Sequence, residues 1–370
     1  MKNNIPQYSN KRLLRVSAVV LDAYSGDLLA SALYPLPNKD SLVVHESEKS
    51  YKDGNFGKKQ RAWTDRDLGL AFFTAPGSTA KVMTALAGLQ KEGRSAAKKS
   101  FFIHSEERVE MGIEPIGNVT MEDAIVKSSN CYFINLMNYF NLYSALDSIY
   151  AATGARLEFV TPYYFRYTPM IEERQEKWKS IVSSHQSEGL ARYQSYIASK
   201  KPSKMNFGAW QWAWGQGTLS ATPLGMARVV STVANGGVMP KTRFRLDDPQ
   251  QEGIRLVSNE SASILKGYMH TMALKANGSA ANAITLDYVG GKTGTPQRTL
   301  KGKRKPNDGW FIFYVDGCTV STGNKKENHP LAVAVRIERL ADSGMGSGVA
   351  MRMSRDMIIP ILQELGYHAK

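Results

Sequence analysis

Apolar positions along the chain change period twice, which divides it into three parts. Residues 16–21 are β-branched and apolar, Ala23-Tyr24-Ser25-Gly26-Asp27 is turn chemistry, and residues 28–33 run apolar again. That pattern predicts a β-hairpin. Residues 35–70 are polar and broken by Pro, Gly and Lys, and read as irregular. From about residue 76 to 275 helical spacing dominates. Thr120 and Asp123 have capping-box spacing ahead of a helix ending near Lys127. Thr222-Pro223 pairs an N-cap with proline at the first helical position, and residues 224–233 continue helically. Residues 171–200 form a polar, charge-mixed helical stretch whose anchors are Trp178, Tyr193 and Tyr196. Strand patterns return at 288–295, 310–315 and 331–337. A closing helix over 349–365 carries Met351, Ile358, Ile359, Leu362 and Leu365.

Strands at both ends of a helical middle must meet in one sheet. The connections are short and crossover helices are absent, so the sheet is expected to be antiparallel. The predicted fold is α+β: an antiparallel sheet flanked by helices, with an inserted all-helical lobe. Residues 15–37 and 276–370 form the sheet lobe, 70–275 the mainly helical lobe, and 38–69 an irregular connection. The whole chain is then one domain in two lobes, with a cleft for a small ligand where they meet.

With 370 residues, 42% hydrophobic and 22% charged, the chain is neither disordered nor a disulfide-stapled miniprotein. Its two cysteines, Cys131 and Cys318, make no framework, and the six histidines show no paired-ligand spacing. No stretch reaches the ~18 apolar residues of a membrane helix. Lys11, Arg12 and Arg15 ahead of residues 16–21 imitate a short signal peptide, but Asp22 breaks the run early, so it reads as a strand. The net charge of +14 turns attention to anionic partners: nucleic acid, an acidic membrane surface or a carboxylate-rich polymer. The basic run Lys301-Gly302-Lys303-Arg304-Lys305 has no interleaved aromatics and reads as a solvated loop, so nucleic acid is not expected.

Three short motifs can carry chemistry. In Pro76-Gly77-Ser78-Thr79-Ala80-Lys81, Pro-Gly marks a helix start, which puts Ser78 in the first turn and Lys81 on the same face. A serine hydroxyl needs a base, and a desolvated lysine can be one. Ser95/Lys98 and Ser263/Lys266 have the same spacing; Ser78 differs in having Pro-Gly in front and an apolar helix behind. Ser128-Ser129-Asn130 is the only Ser-x-Asn in the chain and falls at a helix–helix joint. It reads either as a cap or as a proton relay at Ser128 with a substrate-holding amide at Asn130. Gly291-Lys292-Thr293-Gly294-Thr295 lies on a predicted strand. It is not a phosphate loop, because Leu286 stands where that loop needs glycine and Pro296 follows instead of a helix. As an edge strand it offers Lys292, two hydroxyls and the bare Gly294 to an extended substrate with a terminal carboxylate.

In this order, Ser-x-x-Lys, Ser-x-Asn and Lys-Thr-Gly-Thr resemble the active site of penicillin-binding proteins and serine β-lactamases. Arg61-Ala62-Trp63-Thr64-Asp65, Gly215-Gln216-Gly217, Thr222-Pro223-Leu224 and Asp308-Gly309-Trp310-Phe311 are similar to runs of the monofunctional (class B) transpeptidases. The resemblance implies that Ser78 attacks the carbonyl between the last two D-alanines of a peptidoglycan stem peptide. Lys81 takes the proton with Ser128, and Asn130 holds the substrate amide. The N–H groups of Ser78 and Thr295 form the oxyanion hole, while Lys292, Thr293 and Thr295 hold the terminal carboxylate and Gly294 admits the ligand. It also implies β-lactam inhibition, no metal or cofactor, a membrane glycan polymerase as partner, and work in the cell envelope outside the cytoplasm.

No Glu-x-x-Leu-Asn loop of a class A β-lactamase is present, and class D enzymes place an apolar residue where Asn130 stands. D,D-carboxypeptidases share all three motifs and remain the alternative, as does a non-hydrolytic β-lactam sensor. Class B relatives carry an N-terminal membrane anchor and pedestal domain, whereas this chain is taken up by the catalytic domain and reads as an excised catalytic domain, a fragment or an unusual short relative.

Overall fold

Five strands pair antiparallel into the main sheet: β1 (Arg15–Asp22), β2 (Leu28–Tyr34), β3 (Val289–Gly294), β4 (Gly309–Thr322) and β5 (Lys325–Glu338). Their order is β3-β4-β5-β1-β2, so the N-terminal hairpin and the C-terminal strands share one sheet, as the pattern required. The computed structural model describes residues 15–34, 44–47, 60–63, 73–107, 114–157, 172–199, 208–276, 279–296, 298–300, 303–305, 307–322, 325–338 and 348–364. From Val16 to Asp22 every residue of β1 is buried, which places this strand in the sheet interior with both faces covered.

The longer helices among the described residues are α1 (Lys81–Glu92), α2 (Met121–Lys127), α3 (Asn130–Tyr139), α4 (Tyr143–Thr153), α5 (Glu172–Ser199), α6 (Pro223–Ala234) and α7 (Asn259–Lys275). Helix α6 packs on β1, β4 and β5, and α7 on β3. Thr120 accepts the Asp123 N–H and Thr222 the Gly225 N–H, so both predicted N-caps are made. In α5, Val182 and Tyr193 are buried and the rest of the described face is largely exposed. The Trp178 side chain lies outside the described residues.

Four expectations change. Strands β4 and β5 continue past a bulge between Val315 and Cys318 into a ribbon ending at Thr322 and Lys325. These residues lack apolar alternation, and cross-strand pairing supplies what the pattern does not. The closing helix is interrupted: Gly348–Met353 and Ile359–Glu364 flank a π-turn, Ser354–Ile358. Pro360 removes an N–H and crowds the preceding turn, which the wider turn accommodates. Within the connection read as irregular, Val44–Ser47 pairs with Gln60–Trp63. Lys303–Lys305 pairs with Arg298–Leu300 as a hairpin and is not a loop.

Candidate active site

Ser78 sits in a 3-10 turn, Gly77–Ala80, that runs straight into α1, whose first residue is Lys81. This is tighter than the α-helical turn expected from the spacing. It leaves Lys81 Nζ donating to Ser78 Oγ at 3.0 Å. The turn is clamped from outside. Gly77 N–H donates to Gly215 O at 2.9 Å, Thr79 Oγ1 to Pro76 O at 2.7 Å, and Thr84 Oγ1 to Ala213 O at 2.9 Å. Gly215 has φ +85°, and a Cβ there would lie 2.0 Å from Gly77 O. Only glycine satisfies both conditions. The rival pairs are elsewhere: Ser95, Lys98 and Ser263 are exposed, and Lys266 pairs with Asp316 at 2.8 Å.

Ser128 ends α2 in the left-handed region, with φ 61° and ψ 42°. Its N–H and that of Ser129 both reach back to Ala124 O. A serine in this conformation carries about 1–2 kcal/mol of strain. Ser129 is the N-cap of α3, accepting the Tyr132 N–H at 3.1 Å. The triplet is therefore both a double cap and part of the site. Ser128 Oγ accepts from Lys81 Nζ at 3.0 Å and from Lys292 Nζ at 3.1 Å, and Lys81 also donates to the Ser128 carbonyl. The side-chain amide of Asn130, two residues on, has no hydrogen-bond partner among the described residues.

Lys292 stands on β3, which is the outer strand of the main sheet and pairs with β4. Besides Ser128 it donates to the carbonyl of Thr293 at 3.0 Å. Gly294 has a structural reason besides the expected approach of a ligand. A Cβ there would meet Pro76 O at 2.7 Å and Thr79 N at 3.0 Å, so the missing side chain admits the Ser78 turn itself. Pro296 N would in turn lie 2.8 Å from a Cβ on Gly77. Thr295 is thus bracketed against the turn that carries Ser78. The structure brings all eight predicted residues together, Ser78, Lys81, Ser128, Asn130, Lys292, Thr293, Gly294 and Thr295, from positions up to 217 residues apart.

Burial dominates the electrostatics. Lys81 is fully buried, and desolvation pushes its pKa from 10.5 down to about 7, opposed by the charge of Glu114 and, less, by Cys131. Burial drives Lys292 well below the usual lysine range, and Lys81 repels its charge further. Burial pushes the Cys131 thiol up, which keeps it neutral. A serine hydroxyl held 3.0 Å from an amine that is half unprotonated near neutral pH can be deprotonated and attack a carbonyl.

Two supports of the site include residues without a local signal in the sequence, Glu114 and Arg336. Glu114 accepts the Asn130 N–H at 2.7 Å from a segment with no motif. Arg336 on β5 donates through Nε and Nη2 to Asp308 Oδ2 at 3.2 and 2.9 Å, both side chains buried, beside the Trp310 that pairs with Gly294.

Residues 16–350 match the family model of the penicillin-binding protein transpeptidase domain. Peptidoglycan D,D-transpeptidase PbpA of Mycolicibacterium smegmatis is 24% identical over 381 aligned residues, covering 95% of this chain and 67% of that protein. Among solved structures, the transpeptidase domain of Burkholderia pseudomallei penicillin-binding protein 3 matches with a TM-score of 0.59 at 17% identity, covering 98% of this chain and 91% of its own. Penicillin-binding protein A of M. tuberculosis, solved as a ceftriaxone acyl-enzyme complex, matches with a TM-score of 0.59 at 19% identity, covering 94% and 74%. With the family model spanning most of its length, this chain belongs to the penicillin-binding protein transpeptidase domain family.

Proposed function

We propose that this chain is a peptidoglycan D,D-transpeptidase that works through a Ser78 acyl-enzyme and is inhibited by β-lactams. The observation that carries the reading is one buried amine, Lys81 Nζ, set 3.0 Å from both Ser78 Oγ and Ser128 Oγ. Neutral Lys81 takes the Ser78 proton as Oγ adds to the carbonyl between the two terminal D-alanines. Ser128, shared with Lys292, passes a proton to the leaving D-alanine amine. The oxyanion that develops is met by the N–H groups of Ser78 and Thr295, donors whose individual loss costs ~10²–10³ in rate in comparable sites. Asn130 holds the substrate amide. Lys292, with the hydroxyls of Thr293 and Thr295, holds the terminal carboxylate of a stem laid along the open side of β3. An amine of a neighbouring stem then takes the acyl group and frees Ser78.

The family match and the D,D-transpeptidase relative support peptidoglycan as substrate, and with it work in the cell envelope. A membrane glycan polymerase that supplies nascent strands is the expected partner. No helix among the described residues is long and apolar enough to cross a membrane.

A fluorescent penicillin is expected to label the chain covalently, and Ser78→Ala to abolish labelling. Labelling that survives in Ser78→Ala overturns the assignment. Incubation with a stem pentapeptide and an acceptor amine should give the cross-linked product by mass. Tetrapeptide alone would make the chain a carboxypeptidase.

A further inference from the structure

The connection between β3 and β4 is strongly basic. Between Asp287 and Asp308 there is no acidic residue, while Lys292, Arg298, Lys301, Lys303, Arg304 and Lys305 are cationic. Arg298–Leu300 pairs antiparallel with Lys303–Lys305, which sets Arg298 opposite Lys305, Thr299 opposite Arg304 and Leu300 opposite Lys303. Residues two apart along a strand share a face, so Arg298, Lys303 and Lys305 fall on one face of the hairpin.

That register has a cost. Residues directly opposite in an antiparallel pair have Cβ atoms about 4.5–5.5 Å apart, and like charges so placed destabilise the pair. A two-stranded hairpin is marginal on its own, yet one of its few pairing positions is given to repulsion between Arg298 and Lys305. Guarding its edges against another chain needs only a charge on each strand. Cation set against cation goes further than that, and the repulsion is offset when an anion lies over both.

The place of the hairpin selects the anion. Outer strand β3 runs from Val289 to Gly294, where its ladder with β4 closes at the Gly294–Trp310 pair and where Gly294 lies against the Ser78 turn. The hairpin leaves the sheet at that end and so continues the edge along which the donor stem is laid. The second reactant, a neighbouring stem, must reach Ser78 while the donor occupies β3, and as a stem it carries a terminal carboxylate of its own. Nucleobases would need aromatic residues among the cations, and the two strands have none.

We propose that this hairpin is the docking surface for the acceptor, a second carboxylate-bearing stem held by charge beside the acyl-enzyme. Resting on the reading of Ser78 as the acylated residue, the assignment extends it to the acceptor side of the same site.

The test is binding of a fluorescent stem pentapeptide to the whole chain after penicillin has blocked Ser78, so that the donor position is filled. The same peptide with its carboxylates amidated is the control. The acidic peptide should bind about tenfold more tightly at low salt. The difference should vanish at about 1 M salt, where charges act over only ~3 Å. Arg298→Gln/Lys303→Gln/Lys305→Gln removes like charges, so it should fold, and it should abolish the preference. Arg298→Glu sets an anion opposite Lys305 and favours the hairpin itself, yet it should weaken acidic-peptide binding several-fold. Undiminished binding in Arg298→Glu would mean that shape and not charge is read, which overturns the proposal. Equal binding of the two peptides by the wild type, or a preference that persists in the triple variant, overturns it as well. A triple variant that loses binding to phosphatidylglycerol vesicles but keeps the peptide preference makes the hairpin a lipid contact, and the proposal falls. Complete penicillin labelling of each variant reports an intact Ser78 site. A wild-type chain that takes no penicillin fails the reading of Ser78, and the peptide comparison between wild type and triple variant still decides the hairpin.

Discussion

Replacing Lys81 with methionine, a neutral side chain of similar length, should make the protein more stable, by an amount that depends on pH. The folded chain holds Lys81 with a pKa of about 7 where the unfolded chain has 10.5. At 1.36 kcal/mol per pH unit, the native state is penalised by about 5 kcal/mol wherever the lysine is protonated in both states, that is, below pH 7. Between pH 7 and 10.5 the unfolded chain binds the extra proton, so the penalty shrinks as pH rises, and above 10.5 it is gone. The variant also loses the bonds to Ser78 and Ser128, about 1 kcal/mol each, and these depend little on pH. Lys292, relieved of repulsion by Lys81, changes in the same direction as the main effect. The informative quantity is therefore the slope: relative to Lys81→Met, the wild type should gain about 2 kcal/mol between pH 7 and pH 9. Urea titrations at the two pH values, followed by the fluorescence of the buried Trp210 and Trp212, measure it. A difference that stays constant over that range would show that Lys81 is not held neutral by burial, and the general-base role would lose its physical basis.

Two further substitutions test the frame around the site. Gly294→Ala sets a Cβ against the Pro76 carbonyl and the Thr79 nitrogen, both backbone. It should cost about 1–3 kcal/mol and slow penicillin acylation at least tenfold by moving β3 off the Ser78 turn. Acylation at the wild-type rate would show that the close approach is not needed. Asp308→Asn keeps the shape of the carboxylate but leaves Arg336 buried beside a neutral partner, with Glu338 Oε2 3.7 Å away. It should cost about 3 kcal/mol in urea titration, and a loss below about 1 kcal/mol would show that Glu338 compensates.

What could be read from the sequence is what a few neighbouring residues decide. The 3-residue step from Ser78 to Lys81, the Thr120 and Thr222 caps and the apolar run of β1 each depend on local geometry, and each is found. Ser128 shows where this ends. Its left-handed backbone gave no signal, because glycine or asparagine is the usual residue there and serine holds it only through the caps on either side. The low pKa of Lys81 is equally invisible in its own helix, since the burial comes from α3 and β3, tens to hundreds of residues away. Glu114 acts through a backbone N–H sixteen residues on, a contact no spacing rule predicts. The π-turn escapes for the opposite reason: Pro360 lies within the predicted helix, but the apolar spacing on either side of it fits a continuous one.

The same residues also explain why one hydroxyl stands between two lysines. Lys81 Nζ and Lys292 Nζ each lie about 3 Å from Ser128 Oγ, so they are no more than about 6 Å apart. Two positive charges at that distance repel by about 3 kcal/mol at an effective dielectric of 20, roughly two pH units. Burial adds to this, so the two amines do not both stay protonated near neutral pH. A proton on Lys81 thus makes Lys292 a poorer proton holder, and the Ser128 hydroxyl connects the two. The strain at Ser128 is what sets that hydroxyl and its carbonyl on the same amine. A relaxed helix C-terminus would continue the carbonyl along the axis of α2 and leave Lys81 with one partner fewer. Strain at Ser128 and desolvation of Lys81 are therefore one arrangement, in which the cap of α2 sets a single hydroxyl between two buried amines.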